Sequence, residues 1–243
     1  VESLMSMYRP DSDIGRLNAA GAQRPVEVSL LTLRVLRESV RFSRLTDGAF
    51  DVTYTPLRSV WLRAQNAGAL PAENELERAL AAVGCDGLVL SDRTAMLARE
   101  GMSVDLGGIA AGFALERAAE AMRAAGAQHA LVDIGGDIRV IGLADGRQSW
   151  RIQVRDPRPE QGQPPIVLKL SDAAVSTSGD YARYFTVAGQ HFSHIIDPRT
   201  GWPVRAVPSA TVVAPDATTA DALSTAVSVL GAEKGLELVG SLP

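Results

Sequence analysis

The 243-residue sequence contains one cysteine, three histidines and no long apolar run. The single Cys85 excludes an internal disulfide and any cysteine-based metal cluster, and we interpret it as a small buried hydrophobic residue. The chain also lacks metal-ligating side chains at the spacing of a zinc site. No apolar stretch reaches the ~18 residues expected of a membrane span. Disulfide scaffolds and zinc centres are therefore excluded.

An excess of positive charge is absent as well. The net charge is −4 with both signs interspersed, so nucleic acid is not expected as a partner. The phosphate loop G-x-x-x-x-G-K-[ST], the dinucleotide fingerprint G-x-G-x-x-G and the nucleophile elbow G-x-S-x-G are all missing. The common nucleotide-binding and hydrolase folds are thus disfavoured. Because the sequence begins with Val1 rather than Met, the missing signal peptide says little about localisation.

Hydrophobic periodicity and turn residues divide the chain into helices and strands. With 46% hydrophobic and 21% charged residues, the chain resembles an ordinary globular protein that can bury a sizeable core. The patterns predict helices over residues 28–46, 73–83, 109–125 and 219–230, and strands over residues 87–90, 95–98, 129–134, 137–142, 150–155, 166–170 and 211–214. No repeat or low-complexity linker interrupts them. We therefore expect one α+β domain over residues 1–243, with mixed sheets, packed helices and room for a small peripheral subdomain.

The run from Asp105 to Gly112 is the most informative segment. It places a carboxylate after an apolar stretch, then two glycines, then a strong helix former. Such a junction lets the backbone approach a ligand closely while the new helix offers free N–H groups to an anion. Because Asp105 would repel a bare phosphate, it suggests a ribose hydroxyl or a metal beside the phosphate. The segment therefore indicates a nucleotide site that contains magnesium.

A second candidate is the pair formed by Asp221 and Thr225. Residues four apart lie on one face of a helix, so the carboxylate and the hydroxyl can converge. Two hard oxygens suit Mg²⁺, which takes few protein ligands and leaves other positions to phosphate or water. The alternative is an acid favoured by the helix dipole, with a threonine that faces the core.

His194 is the third candidate. It precedes the turn-forming segment Asp-Pro-Arg-Thr-Gly at residues 197–201 and lies three residues after His191. A neutral histidine can accept a proton from a hydroxyl nucleophile or position a flavin or phosphate group. The alternative is a solvated histidine at the end of a strand.

Three further segments give weaker signals. Tyr8 lies in a polar loop and could stack on a planar ring, although a surface turn explains the same residues. In the segment at residues 48–53, Phe50 is expected in the core, and Asp51 could read the edge of a base. Asp133 and Asp137 flank two glycines that could form either a close approach to a ligand or a bulge.

Taken together, seven segments resemble the FAD:protein FMN transferase (ApbE-type flavin transferase) family, in the family's order and from Met5 to about Leu238. They are MSMYRPDSDIGRLN at 5–18, GAFDVT at 48–53, VDLGGIAAGFALERA at 104–118, LVDIGGDIRVIG at 131–142, SGDYARYF at 178–185, HFSHIIDPRTGWPV at 191–204 and TADALSTAVSVLGAEKGLEL at 219–238. Members cleave FAD with Mg²⁺ and attach the FMN half to a serine or threonine of a target flavoprotein. Some relatives mainly hydrolyse FAD to FMN and AMP, and a flavin-binding protein without activity is a further alternative.

The resemblance implies an ApbE-like, T-fold-related domain and a role for each matching residue. Tyr8 corresponds to the aromatic residue that packs on the flavin nucleotide, and Asp105 to the acid that holds it. The adenine end corresponds to Ala49, Phe50 and Asp51, the metal ligands to the Gly108 carbonyl, Asp221 and Thr225, and the histidine near the flavin and the reacting phosphate to His194.

Two positions depart from the family pattern. Ala111 stands where the family often has a lysine that contacts the nucleotide, and Thr218 lies near the metal where some relatives have aspartate. The resemblance also implies an N-terminal strand and a signal segment before Val1. It further implies a periplasmic or envelope location, contact with a membrane only through such a missing segment, and an acceptor in a membrane redox complex or reductase.

Overall fold

The computed structural model describes residues 1–145, 147–157, 164–179, 184–205 and 207–242. The helices are α1 (Glu2–Met5), α2 (Asp13–Ala20), α3 (Leu30–Leu45), α4 (Thr55–Ala67), α5 (Glu73–Ala81), α6 (Ala110–Ala124), α7 (Ala217–Leu230) and α8 (Ala232–Gly240). The strands are β1 (Val26–Glu27), β2 (Leu88–Leu90), β3 (Thr94–Leu97), β4 (Ala130–Ile134), β5 (Asp137–Ile141), β6 (Trp150–Gln153), β7 (Val167–Leu170), β8 (Ala174–Gly179), β9 (Tyr184–Val187), β10 (Gln190–Ser193) and β11 (Ser209–Ala214). No described helix combines the length and the apolar character that a membrane crossing requires.

A four-stranded antiparallel sheet in the order β11-β8-β5-β4 carries two long helices on one face. Helix α7 packs on β8 and β11, helix α6 packs on β5 and β4, and the two helices contact each other. The core between these helices and the sheet includes Leu115, Ala174, Ala214 and Ala220. Alternate residues of β8 point to opposite sides, so Val175 packs on the other face with the β6–β7 hairpin.

Two further cores flank this layer. The larger one joins α2, α3, the small sheet β1-β3-β2 and the inner side of α6 and α7 around residues such as Leu36, Phe42 and Phe113. The other is built by α4, α5 and the β9–β10 hairpin around the buried Trp61. Trp61 also donates from its indole N–H to the Gly201 carbonyl, at 2.8 Å. This bond attaches the segment after β10 to α4.

The observed elements agree with most of the sequence predictions. Helices α3, α5, α6 and α7 and the strands β2 to β7 and β11 lie within about two residues of the predicted bounds. Gly126 follows α6 with φ of +89°, a conformation that commonly ends helices at glycine. The two glycines after β4 have φ of +67° and +99° and form the turn of the β4–β5 hairpin rather than a bulge.

Candidate active site

The N-terminal end of α6 lies directly against the first two turns of α7. The Gly112 N–H, in the first turn of α6, donates to Asp221 Oδ2 at 2.9 Å. A Cβ placed on Gly112 would lie only 2.8 Å from the Asp221 Cβ and closer still to the Ala217 carbonyl. Glycine is therefore required at this position, because any side chain would separate the two helices. The contact brings the loop that begins at Asp105 to the predicted metal-binding face of α7.

Asp221 is buried, with 5% of its surface exposed. Burial and the nearby negative charge of Asp137 raise its pKa to about 8, although the Gly112 N–H favours the ionised form. Within the described part of the chain its carboxylate accepts that one hydrogen bond only. Asp221 therefore does not act on the N-terminus of its own helix, as one alternative for this residue assumed. It lies within α7 and accepts a hydrogen bond from the first turn of the neighbouring helix α6.

Asp137 is the second carboxylate of the site. It opens strand β5, and its charge acts on Asp221. Burial raises the pKa of Asp137, whereas the Ser176 hydroxyl and the Thr177 N–H favour its ionised form. The sequence marked Asp137 only as a residue beside two glycines, and α7 lies more than 80 positions later in the sequence. The sheet brings the two acids together.

Thr225 lies one turn after Asp221 on the same face of α7. Its Oγ1 would be 3.1 Å from a Cβ placed on Gly108, and Phe50 Cε2 would be 3.4 Å from the same atom. The structure thus brings together Gly108, Asp221 and Thr225, three residues that the sequence predicted as metal ligands. Thr218, the fourth, is buried on the first turn of α7 and three positions before Asp221. Ala111 is half-buried in the first turn of α6.

A cluster of serine hydroxyls lies beside these residues. Ser176 Oγ and Ser178 Oγ lie 3.0 and 2.8 Å from Ser224 Oγ, and Ser178 Oγ lies 3.3 Å from Thr225 Oγ1. Sequence reasoning missed all three serines. Hydroxyl residues two apart on a strand were an available signal, since they share one face of a sheet. The segment at 178–185 continues through Asp180, Tyr181, Ala182 and Arg183, which lie outside the described residues.

The start of α7 is fixed by a side chain from α6. Glu116 Oε1 accepts a hydrogen bond from the Ala217 N–H at 2.7 Å. The same oxygen lies 2.8 Å from Arg139 Nε, and Arg139 is buried. Since one acid binds both α7 and β5, it holds the helix that carries Asp221 against the sheet. Nothing in the local sequence pattern pointed to Glu116.

Asp105 lies at the other end of the loop before α6. Its N–H donates to the Val52 carbonyl at 2.8 Å, and Asn18 holds the preceding residue, Val104, through two hydrogen bonds of 2.8 and 2.9 Å. The carboxylate accepts from the Gly107 N–H at 2.9 Å. It also accepts from the hydroxyl of Tyr54, a residue that sequence reasoning missed, at 3.3 Å.

Tyr8 belongs to the same end of the site. Burial and the Asp105 charge raise the pKa of Tyr54, and Tyr8 lies close enough to add to the effect. Tyr8 is 71% exposed, so its ring is open to a planar ligand. The structure therefore groups Tyr8, Tyr54 and Asp105.

Asp51 requires a correction. Its carboxylate accepts from the Cys85 N–H and the Thr53 N–H, both at 2.8 Å, from the hydroxyls of Thr53 and Ser43, and from the Cys85 thiol. The side chain is 7% exposed and fully occupied by internal donors, so it is not placed to read the edge of a base. Ala49 and Phe50 are buried beside it, and Phe50 packs edge to face on Phe42. Only the backbone of this segment could meet an adenine.

His194 is half-buried directly after β10. The turn that follows is held by Asp197, whose carboxylate accepts from the Arg199 side chain at 2.8 and 2.9 Å. Arg199 in turn packs on Gly48, because a Cβ there would lie 3.5 Å from the Arg199 Cγ. The segment of His194 therefore borders the loop that leads to Phe50. The exposed His191 instead packs edge to face on Tyr184.

The oxygen atoms around Asp221 fit a hard cation. Among the residues described, no group of three or more His, Cys, Asp or Glu side chains could hold a metal ion. A cation here could take oxygens from Asp221 and Thr225, to which the family resemblance adds the Gly108 carbonyl, and this would leave positions for ligand phosphates. Such a sparse set is what Mg²⁺ uses in nucleotide sites. A buried carboxylate with a single hydrogen bond is consistent with this assignment.

Comparisons with known proteins identify the family and the fold. The family model described as "ApbE family" matches residues 1–243. FAD:protein FMN transferase from Vibrio cholerae is 37% identical over 239 residues, which cover 97% of this chain and 72% of the relative. The protein of that name from Treponema pallidum is 35% identical over 260 residues, covering 100% and 71%.

Solved structures give the same result. The ApbE protein from Thermotoga maritima superposes with a TM-score of 0.86 at 39% identity, covering 98% of this chain and 77% of that one. The apo form of the flavinyl transferase ApbE from Pseudomonas stutzeri gives 0.84 at 32% identity, covering 98% and 75%. These structures confirm the predicted α+β fold class.

Proposed function

The chain belongs to the ApbE family, and from this premise we propose that it transfers FMN from FAD to a serine or threonine hydroxyl of a target flavoprotein and releases AMP. The observation that carries the proposal is the contact between α6 and α7. There, the glycine loop of α6 meets the face of α7 that bears Asp221 and Thr225. This contact brings the glycine loop before α6 and the oxygens of α7 into one place, where a nucleotide's phosphates and a cation could be held together.

The bond changes are those of a phosphoryl transfer. The acceptor oxygen bonds to the phosphorus on the FMN side of FAD, and the bond from that phosphorus to the AMP phosphate oxygen breaks. The hydroxyl proton passes to a base, and AMP leaves. We assign the role of proton acceptor to a ring nitrogen of His194. Such general-base catalysis typically increases the rate by ~10²–10⁴-fold.

Asp221, Thr225 and the Gly108 carbonyl would hold magnesium in this scheme. When bound, the ion supplies positive charge that neutralises the pyrophosphate oxygens as AMP leaves. Asp221 has a second task, since it also binds the Gly112 N–H and so fixes the glycine loop. One carboxylate thereby joins the metal site to the phosphate-binding turn.

The other residues of the site orient the nucleotide. Asp105 keeps acceptor capacity for a ribose or ribityl hydroxyl, because each carboxylate oxygen can accept more than one hydrogen bond. Tyr8 supplies an exposed ring on which the flavin or adenine can stack. We place both residues in substrate binding rather than in the bond-making step.

The test is intact-mass spectrometry of an acceptor flavoprotein domain incubated with the protein, FAD and MgCl₂. We expect the acceptor to gain one FMN phosphoester, and we expect no gain with EDTA or with an acceptor whose modified hydroxyl residue is replaced by alanine. AMP and free FMN released without acceptor would instead show an FAD pyrophosphatase. FAD that stays intact with Mg²⁺, with and without acceptor, would show a binding protein.

We also propose a periplasmic or envelope location, with an acceptor in a membrane redox complex or reductase, on the basis of the family resemblance alone. Fractionation of cells that express the full-length gene with an epitope tag checks the location. Recovery of the tagged protein only in the cytoplasmic fraction would contradict it.

A further inference from the structure

A chain of hydroxyl groups ends at Thr225. Ser178 Oγ lies 3.3 Å from Thr225 Oγ1 and 2.8 Å from Ser224 Oγ, and Ser224 Oγ donates to the Asp221 carbonyl at 3.0 Å. Ser224 is fully buried. None of these serines has a place in the transfer scheme above.

Coordination of a cation would set the orientation of the Thr225 hydroxyl. Each hydroxyl has one proton to donate and two lone pairs that accept. Either oxygen of the Ser178–Thr225 contact can be the donor. When a cation takes a lone pair of Thr225 Oγ1, the Thr225 proton must point away from the ion, and Ser178 Oγ is an acceptor within reach at 3.3 Å. Ser178 can at the same time donate to Ser224 Oγ at 2.8 Å.

We propose that Ser178 is a positioning residue of the metal site: by accepting the Thr225 proton, it leaves the lone pairs of Thr225 Oγ1 directed at the cation. The proposal rests on the magnesium site of the proposed function. Thr225 Oγ1 lies on the side of α7 that faces Gly108, whose carbonyl we assign to the same metal site. Groups that hold metal ligands in one orientation commonly change metal affinity by ~10–100-fold when removed.

Strand β8 provides a matched control. Ser178 faces α7, whereas its neighbour Thr177 points to the opposite side and pairs with Thr211 at 2.9 Å between their hydroxyls. The two residues share a strand and a half-buried setting. Ser178 contacts Ser224 at 2.8 Å and Thr177 contacts Thr211 at 2.9 Å, and of the two only Ser178 makes a second hydroxyl contact, with Thr225.

The experiment is a titration of the protein with Mn²⁺ alone, followed by electron paramagnetic resonance. We expect Ser178→Ala to weaken Mn²⁺ binding by roughly tenfold or more. Ser178→Thr keeps the hydroxyl and should restore binding to within about threefold of the parent, and Thr177→Val should leave binding unchanged. Thermal unfolding in EDTA confirms that each variant is folded. Ser178→Ala with the parent's Mn²⁺ affinity would overturn the proposal.

A double-mutant cycle separates positioning from a general structural effect. If Ser178 acts through Thr225, Ser178→Ala should cause no further loss of Mn²⁺ affinity in a Thr225→Val background. An equal loss in both backgrounds would also overturn the proposal. Neither result tests the proposed function, because FMN transfer by the parent protein is measured independently by mass spectrometry. A parent that transfers FMN but binds no Mn²⁺ would remove the metal assignment and this proposal together.

Discussion

Two buried aspartates sit in opposite surroundings. Asp51 and Asp221 are 7% and 5% exposed, yet the Asp51 carboxylate accepts from five donors, and within the described residues the Asp221 carboxylate accepts from one. A buried carboxylate stabilises a fold only when its oxygens are fully bonded. Asp51 meets that condition and is structural. Asp221 does not, and a second aspartate nearby makes its ionisation harder still. The difference supports our proposal that Asp221 binds a ligand.

The largest expected effect is on activity, from Asp221→Ala. A metal ion supplies several kcal/mol of transition-state stabilisation, and each 1.36 kcal/mol is tenfold in rate, so FMN transfer should fall by at least about 10³-fold. The matched control is Asp172→Asn, which alters an exposed carboxylate paired with Arg123 and should keep the parent rate. Single-turnover mass spectrometry measures both. An Asp221→Ala variant that keeps a tenth of the parent rate would refute the assignment.

For Asp51 we expect the reverse pattern. Asp51→Asn puts an amide where the donors of Cys85, Thr53 and Ser43 need acceptors, and should lower the free energy of unfolding by about 2–3 kcal/mol. The KM for FAD of the folded variant should stay within about threefold of the parent. Urea unfolding and steady-state kinetics separate the two effects. A raised KM for FAD with unchanged stability would show instead that Asp51 binds the nucleotide.

The pH dependence of stability gives a third contrast. Since the folded-state pKa of Asp221 is raised from 3.8 to about 8, the folded protein binds more protons than the unfolded chain across that window. This carboxylate therefore makes the metal-free protein less stable as pH rises from about 4 to 8, by up to about 1.4 kcal/mol per pH unit. In EDTA, Asp221→Asn should be more stable than the parent at pH 8, with a difference that shrinks towards pH 5. Thermal unfolding at each pH measures the difference. Equal stability of the two proteins across this range would contradict the environment described for Asp221.

A gain of function is expected at Ala111, with the smallest effect. This residue lies half-buried in the first turn of α6, one position before Gly112. Ala111→Lys places a positive charge beside the phosphates that we propose the glycine loop binds, and should lower the KM for FAD by about two- to tenfold, as a single charged hydrogen bond allows. Ala111→Gln is the neutral control of similar length. A lysine variant with a higher KM than the glutamine variant would show that the nucleotide does not pass this position.

Much of this arrangement could be predicted from the sequence, because its signals are local. Helix α6 shows regular apolar spacing up to Gly126, and the Asp221–Thr225 spacing places both residues on one helix face. Strand β8 was missed because its sequence AVSTSG shows no apolar alternation. Its serines would be expected at the surface from their polarity, but they face helix α7. Helix α4 was missed although its signal is local: Leu57, Val60 and Trp61 have the spacing of one helix face, and Pro56 suits a first turn. The roles of Asp137, Glu116 and Tyr54 depend on contacts between distant segments, which no local pattern encodes.

The most direct test of the proposed magnesium site on α7 is a crystal structure of the protein with FAD and Mn²⁺, using the anomalous signal of manganese to locate the ion. We expect one anomalous peak bonded to Asp221, Thr225 and the Gly108 carbonyl, with the FAD pyrophosphate completing the coordination. A peak elsewhere, or FAD bound without any peak on this face of α7 in crystals that still transfer FMN, would contradict the site.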